Sequence, residues 1–238
     1  MILSVFHLTQ KESRLENKSQ EEKRQPTAGS ANFACISPKG ELTMDDWVVK
    51  ESNVSQLVLP VGVRDHAQGS SEAIVTLLEY SDFEGGHCAE TFRVVQEITR
   101  WLSGELYYVF RHFPVANKYA NAFSAAEAAE AAGAQGHFWE MHDWLCEHSP
   151  TITDAHLKDY AQEIGLDGER FERERREHTY IEKVLEDFES GVASGVTRTP
   201  TFFINGVRYR SDVDVDSLLA AIEEAGNEAI SNWCKELI

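Results

Sequence analysis

Four cysteines are the side chains of this sequence best suited to covalent chemistry: Cys35, Cys88, Cys146 and Cys234. They lie 53, 58 and 88 positions apart, so no two of them form a CxxC redox pair or a closely spaced set of zinc ligands. Four cysteines in 238 residues are also too sparse for a disulfide-stapled secreted scaffold. The spacing therefore predicts free thiols in a reducing, cytoplasmic compartment.

Cys88 lies where a predicted strand meets a predicted helix. The strand is the apolar, β-favouring run AIVTLLEY at residues 73–80, and it leads through the turn SDFEGGHC to AETFRVVQEITRWL. A thiol at a helix N-terminus faces unpaired N–H groups and the positive end of the helix dipole, which favour the reactive thiolate. His87 beside it could act in the same sense, or could be a tolerated polar residue of the first turn. This position makes Cys88 the leading candidate for thiol chemistry.

The remaining elements must position that thiol. A second strand is predicted in LYYVFRHFP at residues 106–114, followed by a helical block at residues 119–190. We predict breaks in this block at Gly133–Gly136, Ser149–Pro150 and Gly165–Gly168, and a single helix over residues 168–195. The segment RTPTFFINGVRY then predicts a hairpin, and a last helix is predicted from about Val215 to Gly226. This order of elements indicates an α/β fold with a central sheet and a crossover helix.

Composition excludes several classes of protein. The chain is 42% hydrophobic and 26% charged, which is typical of a globular protein and not of a disordered or membrane-spanning one. Its formal charge is −18, and 16 basic against 36 acidic side chains in residues 41–238 place −20 on the body. We therefore expect neither nucleic-acid nor membrane partners. Residues 8–32 are polar, so residues 1–60 are predicted to form a mobile tail with a packing arm near its end.

The order of these segments resembles the DsbA family of thiol–disulfide oxidoreductases, which has the thioredoxin superfold. The resemblance covers about Val61 to Ala225 and rests on LLEYSDF, FRHFP, AAEAAGAQGHFWEMHD and GVTRTPTFFINGVRY. It implies an α/β, thioredoxin-like domain over residues 61–238 with a DsbA-type helical insertion at about residues 115–192.

The resemblance also implies a site. In this family a CxxC motif begins the first helix, where the first cysteine attacks a substrate sulfur and the second resolves the mixed disulfide. That frame falls on GGHC, so the attacking position holds Gly85 and only Cys88 remains. The family's buried acid, six residues earlier, corresponds to Glu79, and its substrate-positioning cis-proline corresponds to Pro200 after Thr199. We predict as catalytic residues Cys88 and Glu79, and as substrate-binding residues Gly85, Gly86, His87, Thr199 and Pro200.

Three functions remain open from the sequence. The first is a divergent thiol–disulfide oxidoreductase that lacks the nucleophilic cysteine and acts through Cys88 on a thiol-bearing protein or a small thiol such as glutathione. The second is a non-catalytic module that binds a thiol-bearing or extended peptide in the groove beside Pro200. The third resembles the glutathione-using DsbA-like enzymes, with Gly85-Gly86 as a thiolate cradle, but the hydroxyl those enzymes offer at the attacking position is missing. No resident cofactor is predicted.

A metal site is a further candidate that the spacing does not favour. His142 and Cys146 stand at i and i+4, with His137 and His148 nearby, which could place zinc ligands on one helix face. Because no second ligand pair is evident, we instead predict an aromatic core helix with histidines on its surface. No metal ligands are therefore assigned, and Cys35 and Cys234 receive no role.

Overall fold

The structure, a computed structural model, describes residues 54–115, 121–149 and 151–236. Most of the predicted tail and packing arm, including Cys35, falls outside these ranges. No helix in the described ranges combines the length and the apolar character needed to cross a membrane.

Five strands of the described chain form one mixed sheet. They are β1 (His66–Gly69), β2 (Val75–Ser81), β3 (Leu106–His112), β4 (Thr201–Ile204) and β5 (Val207–Arg208), in the spatial order β1-β3-β2-β4-β5. Strands β2 and β3 are parallel, whereas the other neighbours are antiparallel. A parallel pair requires a crossover connection, and the helix after β2 provides it. Beyond β5, Gln56 forms an isolated antiparallel bridge with Val207.

The crossover helix is α1 (Cys88–Trp101), and a block of helices is inserted between β3 and β4. The block contains α2 (Ala122–Gly133), α3 (Phe138–His148), α4 (Asp154–Glu163), α5 (Gly168–Arg176) and α6 (Ile181–Ala193), and α7 (Val215–Glu236) follows the hairpin. The predicted α/β class with a helical insertion is therefore confirmed. Strand β1 was not predicted, and α7 continues ten residues beyond the expected end at Gly226.

The single helix predicted over residues 168–195 is wrong, because the chain ends one helix and starts another within it. The break lies at His178, which has φ 52°. Its N–H donates to the carbonyl of Arg175 at 3.2 Å, and the N–H of Thr179 donates to the carbonyl of Glu174 at 3.0 Å. This is a Schellman ending, which glycine normally provides. The His178 ring also contacts the carboxylate of Glu127 at 2.9 Å. The helix therefore ends at a residue that makes a tertiary contact, and no glycine in the sequence marks this end.

Side-chain alternation along β2 assigns its residues to two layers. Leu78 and Tyr80 pack on one face of the sheet with Phe203, whereas Leu77 packs on the other face in the cluster that contains Ile98 of α1. Because successive strand side chains point to opposite faces, Glu79 shares the face of Leu77. A carboxyl group is thereby placed in the layer that α1 covers.

A buried arginine ties the segment before β1 to the sheet. Arg111 on β3 is 1% exposed, and its guanidinium donates to both carboxylate oxygens of Asp65 at 2.7 and 2.9 Å. It also donates to the carbonyls of Leu59 and Pro60, both at 2.9 Å, and to the Tyr80 hydroxyl at 3.0 Å. These bonds satisfy the buried cation, as a charge removed from water requires.

Gly69→Ala should be strongly destabilising, because the structure requires a glycine at the end of β1. Gly69 has φ 89°, and a Cβ there would lie 2.1 Å from the carbonyl oxygen of Leu106. We expect a loss of about 3 kcal/mol or more in the free energy of unfolding, from backbone strain and steric overlap together. The matched control is Gly104→Ala, where φ is 82° but no atom lies within 4 Å, so strain alone should cost about 1 kcal/mol. Urea unfolding measures both, and equal losses would contradict the steric argument.

Candidate functional site

Two buried carboxylates hold the loop between β2 and α1. The carboxylate of Asp82 accepts hydrogen bonds from the N–H of Glu84 at 2.9 Å and from the N–H of Val115 at 2.7 Å. The carboxylate of Glu84 accepts from the backbone N–H and the side-chain amide of Asn121, at 2.6 and 2.9 Å. Asn121 precedes α2, so the loop is fixed to the insertion as well as to the sheet. Sequence reasoning missed both acids, although each lies within the motif segment.

The predicted attacking position lies beside the predicted substrate-positioning loop. Gly85 is buried, and a Cβ at this position would be 3.4 Å from the hydroxyl oxygen of Thr199. The same Cβ would lie 2.9 Å from the carbonyl oxygen of Asp82, which accepts a hydrogen bond from the N–H of Gly85. Thr199 and Pro200 are half-buried, and the peptide bond between them is cis. The structure therefore places Gly85 beside Thr199, which the cis peptide bond joins to Pro200.

Gly86 and His87 face solvent at the start of α1. A Cβ on Gly86 would meet no atom within 4 Å. The His87 side chain is 73% exposed, and its Nδ1 lies 3.8 Å from the carboxylate of Glu90, itself 78% exposed. The helix start is therefore open on the side of these two residues.

Cys88 has a second thiol next to it. It is the first residue of α1 and is 4% exposed, and its thiol donates to the sulfur of Cys146 across 2.9 Å. Cys146 is 2% exposed and belongs to the last turn of α3. Ser149, just beyond that turn, contacts the carbonyl of Gly85 at 3.5 Å. The end of α3 thus packs on the motif, an arrangement that a separation of 58 residues concealed from sequence reasoning.

Glu79 is buried and hydrogen-bonded to a phenol. Its carboxylate accepts a hydrogen bond from the Tyr108 hydroxyl at 2.7 Å. Burial raises the pKa of Glu79, although the hydrogen bonds from Tyr108 and Ser81 and the charge of His142 act in the opposite direction. Burial and the neighbouring Glu79 raise the pKa of Tyr108 well above its usual range. Sequence reasoning missed Tyr108, which occupies an ordinary strand position.

The two thiols lie within the electrostatic reach of this acid–phenol pair. Burial raises the pKa of Cys146 well above its usual range, and the hydrogen bond with Cys88 and the charges of Cys88 and Glu79 add to the effect. Negative charge on either thiol in turn raises the pKa of Tyr108. Cys146 is therefore held as a neutral thiol at neutral pH, and its deprotonation depends on a neighbour that accepts the proton.

A cleft of about 360 Å³ opens between α1 and the sheet edge. Tyr108, Trp139 and His142 contribute to its wall, opposite side chains of α1 that include Phe92 and Gln96. The hydrogen-bond donor of Glu79 is thus also a wall residue of the cleft.

His142 is buried, which corrects the prediction of surface histidines on α3. It is 3% exposed, and its ring centroid lies 4.6 Å from that of Phe110 and 5.1 Å from that of Trp139. His148 is exposed and His137 is half-buried. Cys146 lies against Cys88, and the His142 Nδ1 lies 2.9 Å from the carboxylate of Asp143.

A different group of side chains has the composition of a metal site. His112, Glu130 and Asp187 are buried, with ligand atoms within 4.8 Å of one another. The Lys183 ammonium forms ion pairs with both carboxylates, at 2.5 Å from Asp187 and 3.9 Å from Glu130. Burial opposes the ionisation of Glu130, but hydrogen bonds with His112 and His66 outweigh it and lower its pKa. We interpret this cluster as an internal ion network.

Comparison with known proteins identifies the family. The thioredoxin family model, described as Thioredoxin, matches residues 62–224, and the chain therefore belongs to this family. BdbD from Bacillus subtilis (oxidised) is 21% identical with a TM-score of 0.67, over 74% of this chain and 100% of that one. Wolbachia pipientis alpha-DsbA1 is 21% identical with a TM-score of 0.63, over 74% and 98%. The predicted thioredoxin-like fold with a DsbA-type insertion is confirmed.

Curated relatives with higher identity are much longer proteins. The Na(+)/H(+) antiporter NhaA 1 of Salinispora arenicola is 39% identical over 173 residues, which are 72% of this chain and 26% of the antiporter. The chain thus spans about a quarter of the length of the first curated relatives it matches. The antiporter name describes those longer proteins.

Glu79→Gln should remove a pH-dependent loss of stability. Because the folded pKa of Glu79 is raised above the ordinary value of 4.5, the folded state keeps a proton that the unfolded chain has released. Stability from this group is present below about pH 4.5 and is lost as pH rises through the folded pKa. The glutamine variant still accepts the Tyr108 hydrogen bond but has nothing to ionise. It should therefore gain stability relative to the parent chain as pH rises.

Urea unfolding between about pH 4 and about pH 8 measures this difference. Glu90→Gln is the matched control, because Glu90 lies on α1 with its side chain 78% exposed. It should follow the parent curve, and parallel curves for Glu79→Gln would contradict a raised pKa.

Proposed function

We propose that this chain is a divergent thiol–disulfide exchange protein that acts through Cys88. Its substrate is a thiol-bearing protein segment or a small thiol such as glutathione, held beside Thr199 and Pro200 in a reducing, cytoplasmic compartment. The observation that carries the proposal is the placement of Gly85 against Thr199, whose hydroxyl oxygen would lie 3.4 Å from a Cβ at the glycine. Cys88 follows three residues later, as the first residue of α1.

The glycine pair suits a small disulfide as the reaction partner. The N–H of Gly85 donates to the carbonyl of Asp82, so the exposed Gly86, which bears no side chain, is the member of the pair that a small disulfide can approach. N–H groups at a helix start stabilise an anionic sulfur on a departing thiol. The acidic body repels an anionic peptide such as glutathione, so a local attraction of this kind is needed.

A second candidate is a peptide-binding module without turnover. Its support is the burial of Cys88, which is 4% exposed and therefore sheltered from a bulky substrate. A free cysteine in an apolar core is commonly an inert, small hydrophobic residue. In this case the segment Thr199–Pro200 would hold an extended peptide, and Cys88 would serve packing alone.

A glutathione adduct on Cys88 distinguishes the two candidates. In a chain carrying Cys35→Ser, Cys234→Ser and Cys146→Ser, Cys88 is the remaining cysteine. Incubation with oxidised glutathione should yield one mixed disulfide per chain, observed by intact mass and located by peptide mapping. The matched control adds Cys88→Ser and should yield none. Thermal unfolding checks that each variant is folded, and a folded chain whose Cys88 resists the reagent would favour the binding module.

Gly85→Cys should create disulfide-reducing activity by completing a CGHC motif. The new Cβ would lie 2.9 Å from the carbonyl oxygen of Asp82, so we expect a stability cost of about 1–3 kcal/mol. The reduced variant should reduce insulin disulfides with dithiothreitol as the electron source. Gly85→Ala, which bears the same Cβ without a thiol, should match its stability and show only the background rate. If Gly85→Cys is folded and equally inactive, Gly85 does not occupy the attacking position.

A further inference from the structure

We propose that Cys88 and Cys146 form a reversible intramolecular disulfide, so that the insertion supplies the resolving thiol that a CxxC motif would otherwise contain. This inference rests on the proposed function of Cys88 and names its partner. It assigns a redox role to Cys146, for which the sequence suggested only a zinc-ligand role that the spacing did not favour.

The geometry that supports the pair is the approach of the two sulfur atoms. They lie 2.9 Å apart, and a disulfide bond is about 2.05 Å long, so closure requires a movement of roughly 0.9 Å. Cys88 is the first residue of α1 and Cys146 belongs to the last turn of α3, so each thiol is at a helix end. Adjustment of terminal turns can provide a movement of this size without displacing the core.

Both thiols are enclosed by the same part of the core. Cys88 and Cys146 belong to one hydrophobic cluster that also contains Phe83, Phe92 and Leu145. Within this cluster each sulfur has the other as a hydrogen-bond partner. An intramolecular partner in contact is then favoured over a second external thiol, since no loss of translational freedom accompanies its attack.

The two cysteines differ in a way that divides the roles. Cys88 begins α1 directly after the exposed residues Gly86 and His87, so we assign it the first attack on an external disulfide. Cys146 is a neutral, fully enclosed thiol near Glu79, and this acid influences its ionisation. It is suited to attack second, because the mixed disulfide on Cys88 then offers a glutathione thiolate as the leaving group.

The reaction balances with a disulfide as the oxidant. Cys88 loses its proton as its sulfur attacks one sulfur of oxidised glutathione, which forms a mixed disulfide and releases one glutathione thiolate that takes up this proton. Cys146 then attacks the Cys88 sulfur, forms the Cys88–Cys146 bond and releases the second glutathione thiolate. The proton from Cys146 passes to that thiolate, directly or through Glu79. Two protein thiols are oxidised and one glutathione disulfide is reduced to two thiols.

The test begins with a chain that carries Cys35→Ser and Cys234→Ser and keeps both core cysteines. After incubation with oxidised glutathione, non-reducing peptide mapping should recover the Cys88 and Cys146 peptides joined, with both thiols lost and no retained glutathione. The bond would close a loop of 58 residues, so the Tm should rise by roughly 10 °C and return with dithiothreitol. The unsubstituted chain should give the same joined peptides.

The Cys146 variants separate this inference from the proposed function. Cys146→Ser and Cys146→Ala, each in the same background, should retain glutathione on Cys88, because nothing resolves the adduct. The alanine variant guards against misfolding caused by a buried hydroxyl. If the chain with both core cysteines also retains glutathione on Cys88 and gives no joined peptides, the disulfide proposal is wrong and the proposed function stands. If Cys88 is unreactive throughout, the disulfide proposal and the proposed function are both wrong. In the unsubstituted chain, a peptide that joins Cys35 to either core cysteine would likewise overturn the pairing.

Discussion

The packing of the last turn of α3 on the first turn of α1 is the contact on which the candidate site depends. It places the sulfur of Cys146 2.9 Å from that of Cys88 and Ser149 3.5 Å from the carbonyl of Gly85. The carboxylates of Asp82 and Glu84 fix the loop between β2 and α1 through hydrogen bonds. The helical insertion is therefore part of the site, because it contributes Cys146, one of the two thiols.

Two buried glutamates have pKa values shifted in opposite directions, because their hydrogen-bond partners differ. The pKa of Glu79 is raised, because burial outweighs a hydrogen bond from the neutral phenol of Tyr108. The pKa of Glu130 is lowered, because two histidines donate to it and outweigh the same cost of burial. One acid can exchange a proton near the thiols, whereas the other holds a fixed charge within the insertion.

Local patterns predicted much of the fold, and contacts between distant segments account for what they missed. The β-α-β unit and the Asn-Gly hairpin were found because apolar periodicity and turn residues are local signals. The helix break at His178 was missed because a non-glycine residue adopts a positive φ there. The sequence placed Gly85 and Thr199 in one site by resemblance, but it offered no signal that Cys146 lies beside Cys88. Only the packing of two helices creates that proximity.

Because the two thiols lie on different helices, their redox state decides whether those helices are covalently joined. A bond within a CxxC motif spans a single helical turn and joins no two helices. A bond between α1 and α3 would instead join the crossover helix to the inserted block, across 58 residues of sequence. Oxidation would then fix the crossover helix to the inserted block covalently, and reduction would release it.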